Sequence, residues 1–454
     1  MRNAVVVFTR DLRVHDHVAL AGALRQAEYV VPAFVFDEAI LGARFNRPNR
    51  TAFLVESLAD LDASLRQRGA ALLVRRGVWV DEIARLAHEH DAATVHISAD
   101  VSAFAQDREA RLDARLRADG RALIRAPGVT VVPPGALQPT GGDHFKVFTP
   151  YHRRWRSAPL RGVVDAPARI PVPPGFRATG PPAVSDIVTG PVSPGRPAGG
   201  ESMARAALNS FSRSRLRTYG EHHDDLAADG TSRVSAYLRF GCISPLEVVT
   251  KLRARAGAEP FVRQLCWRDF FHQILAARPD AAWNDYRPNG FTWDDDEAAF
   301  AAWTEGRTGY PLVDAAMRQL RAEGFVHNRA RLVTASFFTK DLALDWRWGA
   351  RHFLDWLVDG EIANNNLNWQ WVAGTGTDTN PHRIFNPTVQ GKRFDPDGDY
   401  VRRYVPELAG ILGGAVHEPW RLPAATRATI DYPEPIVDHG EAVAAYRARR
   451  TASG

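Results

Sequence analysis

Short apolar runs alternate with helical patterns over the first 130 residues of the chain. Runs rich in valine, isoleucine and alanine predict strands at 5–8, 30–36, 71–74, 95–97 and 122–124. Apolar residues at helical spacing between them predict helices at 18–27, 52–68, 80–88 and 106–117. The runs show no polar alternation, which is typical of parallel strands covered on both faces. We therefore expect an α/β domain with an open, Rossmann-like parallel sheet over residues 1–130.

The pattern changes twice further along the chain. Residues 131–200 are rich in proline and glycine, as in Pro171–Gly175 and Gly190–Gly195, and cannot sustain a helix or a central strand. We expect an ordered linker that wraps between two domains, the alternative being a disordered spacer. From residue 201 to 454 the pattern is helical, most clearly at 310–324, where Pro311 suits a first turn and Gly324 a helix end. This predicts an all-α second domain.

Composition narrows the class of protein only slightly. The net charge of +5 and the pI near 9.3 weakly favour a polyanionic partner. Cys242 and Cys266 lie far apart, which excludes a cysteine-only zinc site and a disulfide framework and fits a reducing cytosol. No apolar run approaches 18 residues, and the run near Met1 is too short for a signal peptide. We expect a cytoplasmic protein with no membrane segment and no metal site.

The segment 359–371, Asp-Gly-Glu-Ile-Ala-Asn-Asn-Asn-Leu-Asn-Trp-Gln-Trp, is the most informative stretch of the sequence. A buried amide without a partner costs about 1–3 kcal/mol, and two nearby indoles offer large π-faces. This combination indicates a planar, polar, aromatic ligand. The segment resembles the flavin-binding core of the photolyase/cryptochrome family. The resemblance implies flavin contacts from Asp359, Glu361 and Asn365, the last beside flavin N5, with Trp369 carrying electrons and Trp371 facing the substrate.

Four further segments carry the same resemblance, which thus covers almost the whole chain: 8–17, 230–235, 261–271 and 324–334. A cluster of Thr, Ser and Arg before a helix can bind phosphate, although such residues are more often simple N-caps. The resemblance implies that FAD is bound non-covalently, with contacts from Tyr219, Thr231, Ser232, Arg233, Val234, Ser235, Arg268, Asn328 and Arg331. It also implies an electron-hopping chain of Trp293, Trp346 and Trp369.

The residues expected against a DNA lesion are Gln264, Trp267, Asn328 and Trp371. Most repair enzymes of the family that act on cyclobutane dimers have glutamate where this chain has Gln264, which can donate a hydrogen bond but no proton. The (6-4) photolyases place catalytic histidines at the positions of Asn328 and Leu332, and neither residue can transfer a proton. His327 is expected to be structural. The resemblance therefore implies light-driven repair of cyclobutane pyrimidine dimers, as in class I photolyases. A cryptochrome photoreceptor and a (6-4) photolyase remain the alternatives.

The partner implied is UV-damaged DNA, bound by a monomer. Basic residues expected at DNA phosphates are Arg329, Arg383, Lys392 and Arg393, together with Arg402 and Arg403. The α/β domain of this family often holds an antenna chromophore. Folate-type contacts are absent, since Phe104 and Ala105 occupy that region, and 100–108 is more similar to the members that bind 8-hydroxy-5-deazaflavin. We expect an antenna of that type.

Overall fold

A computed structural model describes residues 3–452, which form two compact units. Unit 1 comprises the chain up to Val192, then Pro197–Arg217 and Ser232–Pro279. Unit 2 comprises Ser193–Arg196, Thr218–Thr231 and the chain from Asp280 onward. The division differs from the predicted one, because unit 1 includes most of the predicted linker and several helices beyond residue 200.

Unit 1 is built on a five-stranded sheet of order β3-β2-β1-β4-β5. Its strands are β1 Asn3–Val7, β2 Tyr29–Asp37, β3 Leu73–Gly77, β4 Ala92–Ser98 and β5 Ala122–Ala126. Every neighbouring pair is parallel, and Val5 of β1 lies opposite Val31 on one side and Val95 on the other. Most apolar side chains of β1, β2 and β4 are buried. The predicted open parallel sheet is therefore confirmed.

Helices account for most of the remaining regular structure. The first twelve are α1 Val18–Gln26, α2 Glu38–Leu41, α3 Pro48–Arg66, α4 Trp79–Glu89, α5 Ala103–Ala118, α6 Phe148–Arg156, α7 Val184–Ile187, α8 Glu201–Ser214, α9 Tyr219–His222, α10 Ser235–Phe240, α11 Pro245–Leu252 and α12 Glu259–Ala277. The others are α13 Glu297–Glu305, α14 Pro311–Glu323, α15 Asn328–Ser336, α16 Trp346–Trp356, α17 Ile362–Ala373, α18 Pro387–Phe394, α19 Asp399–Tyr404, α20 Ala424–Arg427 and α21 His439–Ala452.

Within unit 1 the linker is partly helical and packed. Helix α6 buries Phe148, Tyr151 and Trp155 on one face. The carboxylate of Asp269 in α12 accepts hydrogen bonds from Trp155 Nε1 at 2.9 Å and from the backbone N–H of Val132 at 2.9 Å. Burial raises the pKa of this carboxyl group, whereas the hydrogen bonds from Trp155 and Val132 favour its charged form. The chain is therefore ordered along α6 and packs within unit 1.

Unit 2 contains α9 and α13–α21, with a large apolar core and a smaller cluster of Phe291, Ala343 and Tyr446. Helix α14 begins at Pro311 and ends at Gly324, whose φ of 59° is the left-handed conformation that glycine adopts readily. A π-helical turn, Phe337–Asp341, follows α15 and is fully within the core. The helical pattern predicted for this part of the chain is confirmed.

Across residues 3–452, none of the helices has the length and apolar character needed to cross a membrane. The same residues contain no group of three or more His, Cys, Asp or Glu side chains that could hold a metal ion. Both cysteines are free and buried, and burial raises the pKa of the Cys242 thiol to about 12.

Candidate functional site

Asn365 presents one available oxygen at the start of α17. Its Nδ2 donates to the Ala350 carbonyl at 3.0 Å and to Asn366 Oδ1 at 2.9 Å. Because both bonds use the nitrogen, they fix the amide orientation and leave Oδ1 as an acceptor. The side chain is 8% exposed, so a ligand that meets this oxygen would do so in a dry environment. A flavin N5–H is a donor of the required kind.

Asp359 lies just before α17 and offers a second unsatisfied oxygen. Its Oδ2 accepts a hydrogen bond from Arg331 Nη2 at 2.8 Å, and Arg331 Nε donates to the Val326 carbonyl at 2.7 Å. Its Oδ1 is buried without a hydrogen-bond partner. A buried acceptor of this kind is costly unless a ligand donates to it. Asp359 and Asn365 therefore each keep one oxygen that can accept a hydrogen bond from a ligand.

The other amides of 359–371 hold the protein together. Gln370 Oε1 accepts from the Tyr286 N–H at 2.7 Å, while its Nε2 donates to the Ala281 carbonyl at 2.7 Å. Asn366 Nδ2 donates to the Ala282 carbonyl at 2.5 Å. Glu361 is the residue before the first turn of α17, and its Oε1 accepts a hydrogen bond from the Asn364 side-chain amide. The amide-rich sequence thus serves both the candidate ligand and the loop at 281–286.

The predicted diphosphate segment has an irregular backbone. Arg233 has a φ of 51°, and Val234 is the residue before α10, with no side chain capping that helix. Ser232 Oγ lies 3.5 Å from the Val234 nitrogen, at the limit of a hydrogen bond. The Thr and Ser side chains are half-buried and do not serve as ordinary N-caps, which was the alternative interpretation. Thr231 and the buried Tyr219 belong to unit 2, and Ser232–Ser235 to unit 1.

Trp369 of α17 lies in a cage of aromatic rings. Its ring centroid is 5.1 Å from Phe353, 5.6 Å from Phe338 and 6.1 Å from Trp303. Gly349 of α16 packs so closely that a Cβ there would lie 2.3 Å from Trp369 Cη2. The indole is therefore held in one orientation.

The other members of the expected electron chain are also in unit 2. Trp346 is fully buried, and its Nε1 donates to Asp285 Oδ1 at 2.8 Å. Trp293 is half-buried, 4.7 Å from Phe291 between ring centroids. Trp303, which was not predicted from the sequence, is fully buried against Trp369, and its indole N–H has no hydrogen-bond partner among the described residues. It lies in α13, which carries no motif, so only packing identifies it.

Helix α12 presents Gln264 and Trp267 toward solvent. Gln264 is exposed, and its side chain has no hydrogen-bond partner among residues 3–452. Trp267 is half-buried and stacks on Phe148 of α6, with ring centroids 3.6 Å apart and planes 3° from parallel. Arg268 donates to the Val129 carbonyl at 2.6 Å, so much of its hydrogen-bonding capacity is used within unit 1.

Helix α15 begins with the residues expected to separate two repair chemistries. His327 Nδ1 accepts from the Arg329 N–H at 3.2 Å and caps the helix, which accounts for a histidine at this position. Asn328 follows at the first helical position and is exposed, whereas Leu332 packs against the apolar core. Asn328, Arg331, Asp359, Glu361, Asn365 and Trp369 all lie within unit 2.

Most of the basic residues expected at DNA phosphates have carboxylate partners. Arg329 pairs with Asp224, and Lys392 with Glu418. Arg383 lies 3.7 Å from Asp378 and over the ring of Trp371, and Arg402 pairs with Asp399. Arg393 lies over Phe394, and Arg403 donates to the Ala227 carbonyl at 3.5 Å. DNA would have to compete with these carboxylates for Arg329, Arg383 and Lys392.

Unit 1 contains a small, open pocket at the carboxyl end of β2. Aromatic rings of Phe34, Phe36 and Phe45 line it, together with the guanidinium groups of Arg50 and Arg239. Ligands of open α/β sheets bind outside the carboxyl ends of strands. The segment 100–108 reaches this pocket, because Arg108 Nη1 donates to Asp37 Oδ2 at 3.0 Å and Asp37 lines the wall.

Known proteins of similar sequence cover almost the whole chain. Residues 4–174 match the family model for DNA photolyase, and residues 261–452 match that for the FAD binding domain of DNA photolyase. The chain is 54% identical to the deoxyribodipyrimidine photo-lyase of Streptomyces griseus over 99% of both chains. It is 36% identical to a cryptochrome DASH of Gloeobacter violaceus, over 98% of this chain and 95% of that protein.

Solved structures give the same result. A class III photolyase from Agrobacterium tumefaciens matches with a TM-score of 0.91 and 34% identity, covering 100% of this chain and 98% of that one. An archaeal photolyase from Sulfolobus tokodaii, solved with two FAD molecules, matches with a TM-score of 0.88 and 29% identity, covering 99% of this chain and 100% of that one. Sequence relatives and structural neighbours extend over both units, and the chain therefore belongs to the photolyase/cryptochrome family.

Proposed function

We propose that this protein repairs cyclobutane pyrimidine dimers in DNA by light-driven electron transfer from bound, reduced FAD. The observation that carries the proposal is the amide of Asn365, which is oriented by two donated hydrogen bonds and keeps Oδ1 for a ligand N–H. The 54% identical relative from Streptomyces griseus, a deoxyribodipyrimidine photo-lyase, supports the same activity.

Reduced FAD, when bound and excited by blue light, supplies an electron that splits the cyclobutane ring and then returns. The chain's own residues bind and orient the reactants. Asn365 accepts a hydrogen bond without adding negative charge, which favours an anionic reduced ring. The Arg331–Asp359 pair would offer a further acceptor to bound FAD, and the hydroxyls of Thr231, Ser232 and Ser235 would hold its diphosphate. Trp369, Trp346 and Trp293 conduct electrons that reduce an oxidised cofactor.

The kind of lesion that the protein repairs depends on whether side chains near the lesion can transfer a proton. The dimer is flipped out of the duplex, which is cheaper for a damaged pair. Gln264, exposed on α12, donates a hydrogen bond to the base carbonyls, and Trp267 and Trp371 offer apolar faces. Repair of a (6-4) lesion needs an acid–base residue, and Asn328 and Leu332 provide none. We therefore retain class I cyclobutane repair as the proposal.

A cryptochrome photoreceptor is the rival function, since Gln264 replaces the usual glutamate and one relative is a cryptochrome DASH. In that case the protein would bind and reduce flavin but leave DNA lesions unchanged. Dark binding of damaged DNA and lesion consumption under light separate the two possibilities.

We also propose that the pocket at the carboxyl end of β2 holds an antenna chromophore of the 8-hydroxy-5-deazaflavin type. Its phenylalanine rings suit a planar aromatic molecule, and Arg50 and Arg239 suit an anionic one. The Sulfolobus tokodaii neighbour, with two FAD molecules, makes a second flavin the main competing ligand. Titration of the protein with each compound, followed by its absorbance shift, distinguishes them. A cytoplasmic monomer remains our expectation, consistent with two buried free thiols.

The decisive experiment is blue-light repair of duplexes that carry one defined lesion. We expect loss of cyclobutane dimers and no loss of (6-4) products. Gln264→Glu should retain or modestly improve dimer repair, because a protonated carboxyl group can also donate to the base carbonyls, and Gln264→Ala should lower the quantum yield. Wild-type protein that contains reduced FAD and repairs only (6-4) lesions, or neither lesion, would refute the proposal.

A further inference from the structure

Helix α6 carries a cluster of cations that no carboxylate neutralises. Arg153, Arg154 and Arg156 are exposed, as is Lys146 just before the helix. Among the described residues, none of the four lies within salt-bridge distance of an acidic side chain. The stretch from 144 to 157 contains no Asp or Glu at all.

Helix α5, in the same unit, gives a direct contrast. Helix α5 is equally rich in arginine, but Arg111 pairs with Asp107 at 3.0 Å, Arg117 with Asp113 at 2.9 Å and Arg115 with Asp119 at 3.7 Å. Such exposed pairs at helical spacing contribute little stability but cancel charge. The exposed arginines of α6 therefore keep an unbalanced charge at the surface, whereas Arg111, Arg115 and Arg117 of α5 do not.

Packing places the cations of α6 beside the lesion-facing side chains. Phe148, at the start of α6, stacks on Trp267 with ring centroids 3.6 Å apart. The guanidinium of Arg263, one residue before Gln264, lies 5.5 Å from the Phe148 ring centroid. Arg263 is exposed and likewise has no carboxylate within salt-bridge distance in the described chain. All of these residues are in unit 1.

The burial of the apolar face of α6 argues against a second kind of anionic partner, a lipid membrane surface. Phe148, Tyr151 and Trp155 are buried in the unit and cannot insert into a lipid surface. Three arginines near the carboxyl end also complement the helix dipole, but that effect is worth only about 0.3–1 kcal/mol per charge. It does not require three arginines, nor the lysine outside the helix.

We propose that Lys146, Arg153, Arg154 and Arg156 form a phosphate-binding surface for the DNA backbone that flanks the lesion at Trp267. This inference rests on the proposed function and deepens it. Backbone contacts position a duplex without reading its sequence, so the surface should act on damaged and undamaged DNA alike. Discrimination of the lesion then comes from the side chains on α12.

The test compares two triple variants of the full-length, flavin-containing protein. In one, Arg153, Arg154 and Arg156 are replaced by Gln; in the control, Arg111, Arg115 and Arg117 of α5 are replaced by Gln. Dark binding is measured by fluorescence anisotropy, over a series of salt concentrations, to a duplex with one cyclobutane thymine dimer and to the same duplex without it. Flavin absorbance and circular dichroism check that each variant is folded.

The α6 variant should bind both duplexes at least about tenfold more weakly at 0.15 M salt, and its plot of log K against log salt should be shallower by about 2–3. The α5 control should change affinity less than about twofold, because its charges are already neutralised. Adding Lys146→Gln to the α6 variant should weaken binding further, by a similar factor on both duplexes.

Equal weakening by both triple variants would overturn the inference, because it would show an effect of net charge alone. An α6 variant with wild-type affinity and salt dependence would overturn it too. Wild-type protein that binds neither duplex would remove the inference and the proposed function together. Wild-type protein that binds through α6 but repairs no dimer under light would leave this surface standing and refute only the repair activity.

Discussion

At the scale of single residues, the side chain of Asn365 separates two chemical tasks. Its nitrogen is used inside the protein, by Ala350 and Asn366, and its oxygen remains for a ligand. A carboxylate at this position would lose both donated bonds and place a negative charge where a reduced ring carries its own. The amide is therefore suited to a cofactor that is anionic when active.

Asn365→Asp should make the reduced flavin harder to form and quicker to reoxidise in air. The two lost donors should also lower the free energy of unfolding by about 1–3 kcal/mol. Absorbance spectra during anaerobic photoreduction and reoxidation measure the first effect, and thermal unfolding the second. Asn368→Asp, at a half-buried position on the same helix, is the matched control. Identical behaviour of the two variants would contradict the role given to Asn365.

Phe148→Leu should loosen Trp267, because the stacked ring 3.6 Å away is replaced by a smaller, flexible side chain. Stacked aromatic pairs contribute about 0.5–1.5 kcal/mol beyond their buried area. We expect a lower ratio of affinities for damaged over undamaged DNA, measured by anisotropy, with unchanged salt dependence. Phe104→Leu, an exposed ring on α5, is the control. A preserved affinity ratio would show that the stack does not position Trp267.

The sequence could identify residue types at this scale but not their partners. The Asn and Trp pattern at 359–371 is local, so its resemblance to a flavin site could be recognised directly. Which amide stays available depends on the loop at 281–286, about 85 residues away, and no local pattern shows that Gln370 is used there. The carboxylate partner of Arg329 is 105 residues distant, which is why its charge appeared available in the sequence.

At the scale of elements, α16 and α17 approach closely enough to clamp an indole. The contact depends on Gly349, where a Cβ would lie 2.3 Å from Trp369 Cη2. Nothing in the sequence near Gly349 marks this requirement, since an isolated glycine in a helix is usually unfavourable. The strands of the sheet could be predicted because their apolar pattern is local. The close contact between α16 and α17 could not, because it depends on two residues that are distant in sequence.

Gly349→Ala should displace Trp369 or push the two helices apart, since a core methyl group that does not fit costs about 1–3 kcal/mol. We expect a lower melting temperature and slower photoreduction of oxidised flavin. Gly410→Ala is the control, because a Cβ at Gly410 would meet nothing within 4 Å. Wild-type photoreduction in a destabilised Gly349→Ala protein would show that the orientation of Trp369 is not important for electron transfer.

At the scale of the whole molecule, unit 2 anchors its carboxyl-terminal helix to a buried ammonium group. Lys340 Nζ donates to the carbonyls of Ala373 at 3.0 Å and Pro381 at 3.2 Å, and to the hydroxyl of Tyr446 in α21 at 2.5 Å. Burial lowers the pKa of Lys340 to about 7 from an ordinary value of 10.5. Desolvation therefore outweighs these acceptors near neutral pH.

This pKa predicts a pH dependence with a definite sign. Between about pH 7 and 10.5 the unfolded chain holds a proton on Lys340 that the folded chain has lost, so stability rises with pH in that window. Lys340→Met should remove this rise, seen as a smaller gain in urea midpoint from pH 7 to pH 9 than in wild type. Lys392→Met, at an exposed lysine, should keep it. Equal pH dependence in all three proteins would refute the assignment.

The interleaving of the two units along the chain has a consequence for protein synthesis. Unit 1 is not complete until Pro279 has left the ribosome, long after its sheet has been made. Until then the backbone N–H groups of Val131 and Val132 and the indole of Trp155 lack the Asp269 carboxylate that binds them. Nascent chains that end before Pro279 should contain a formed sheet and a linker that is not yet packed. We expect the protein to need a chaperone most at this stage of synthesis.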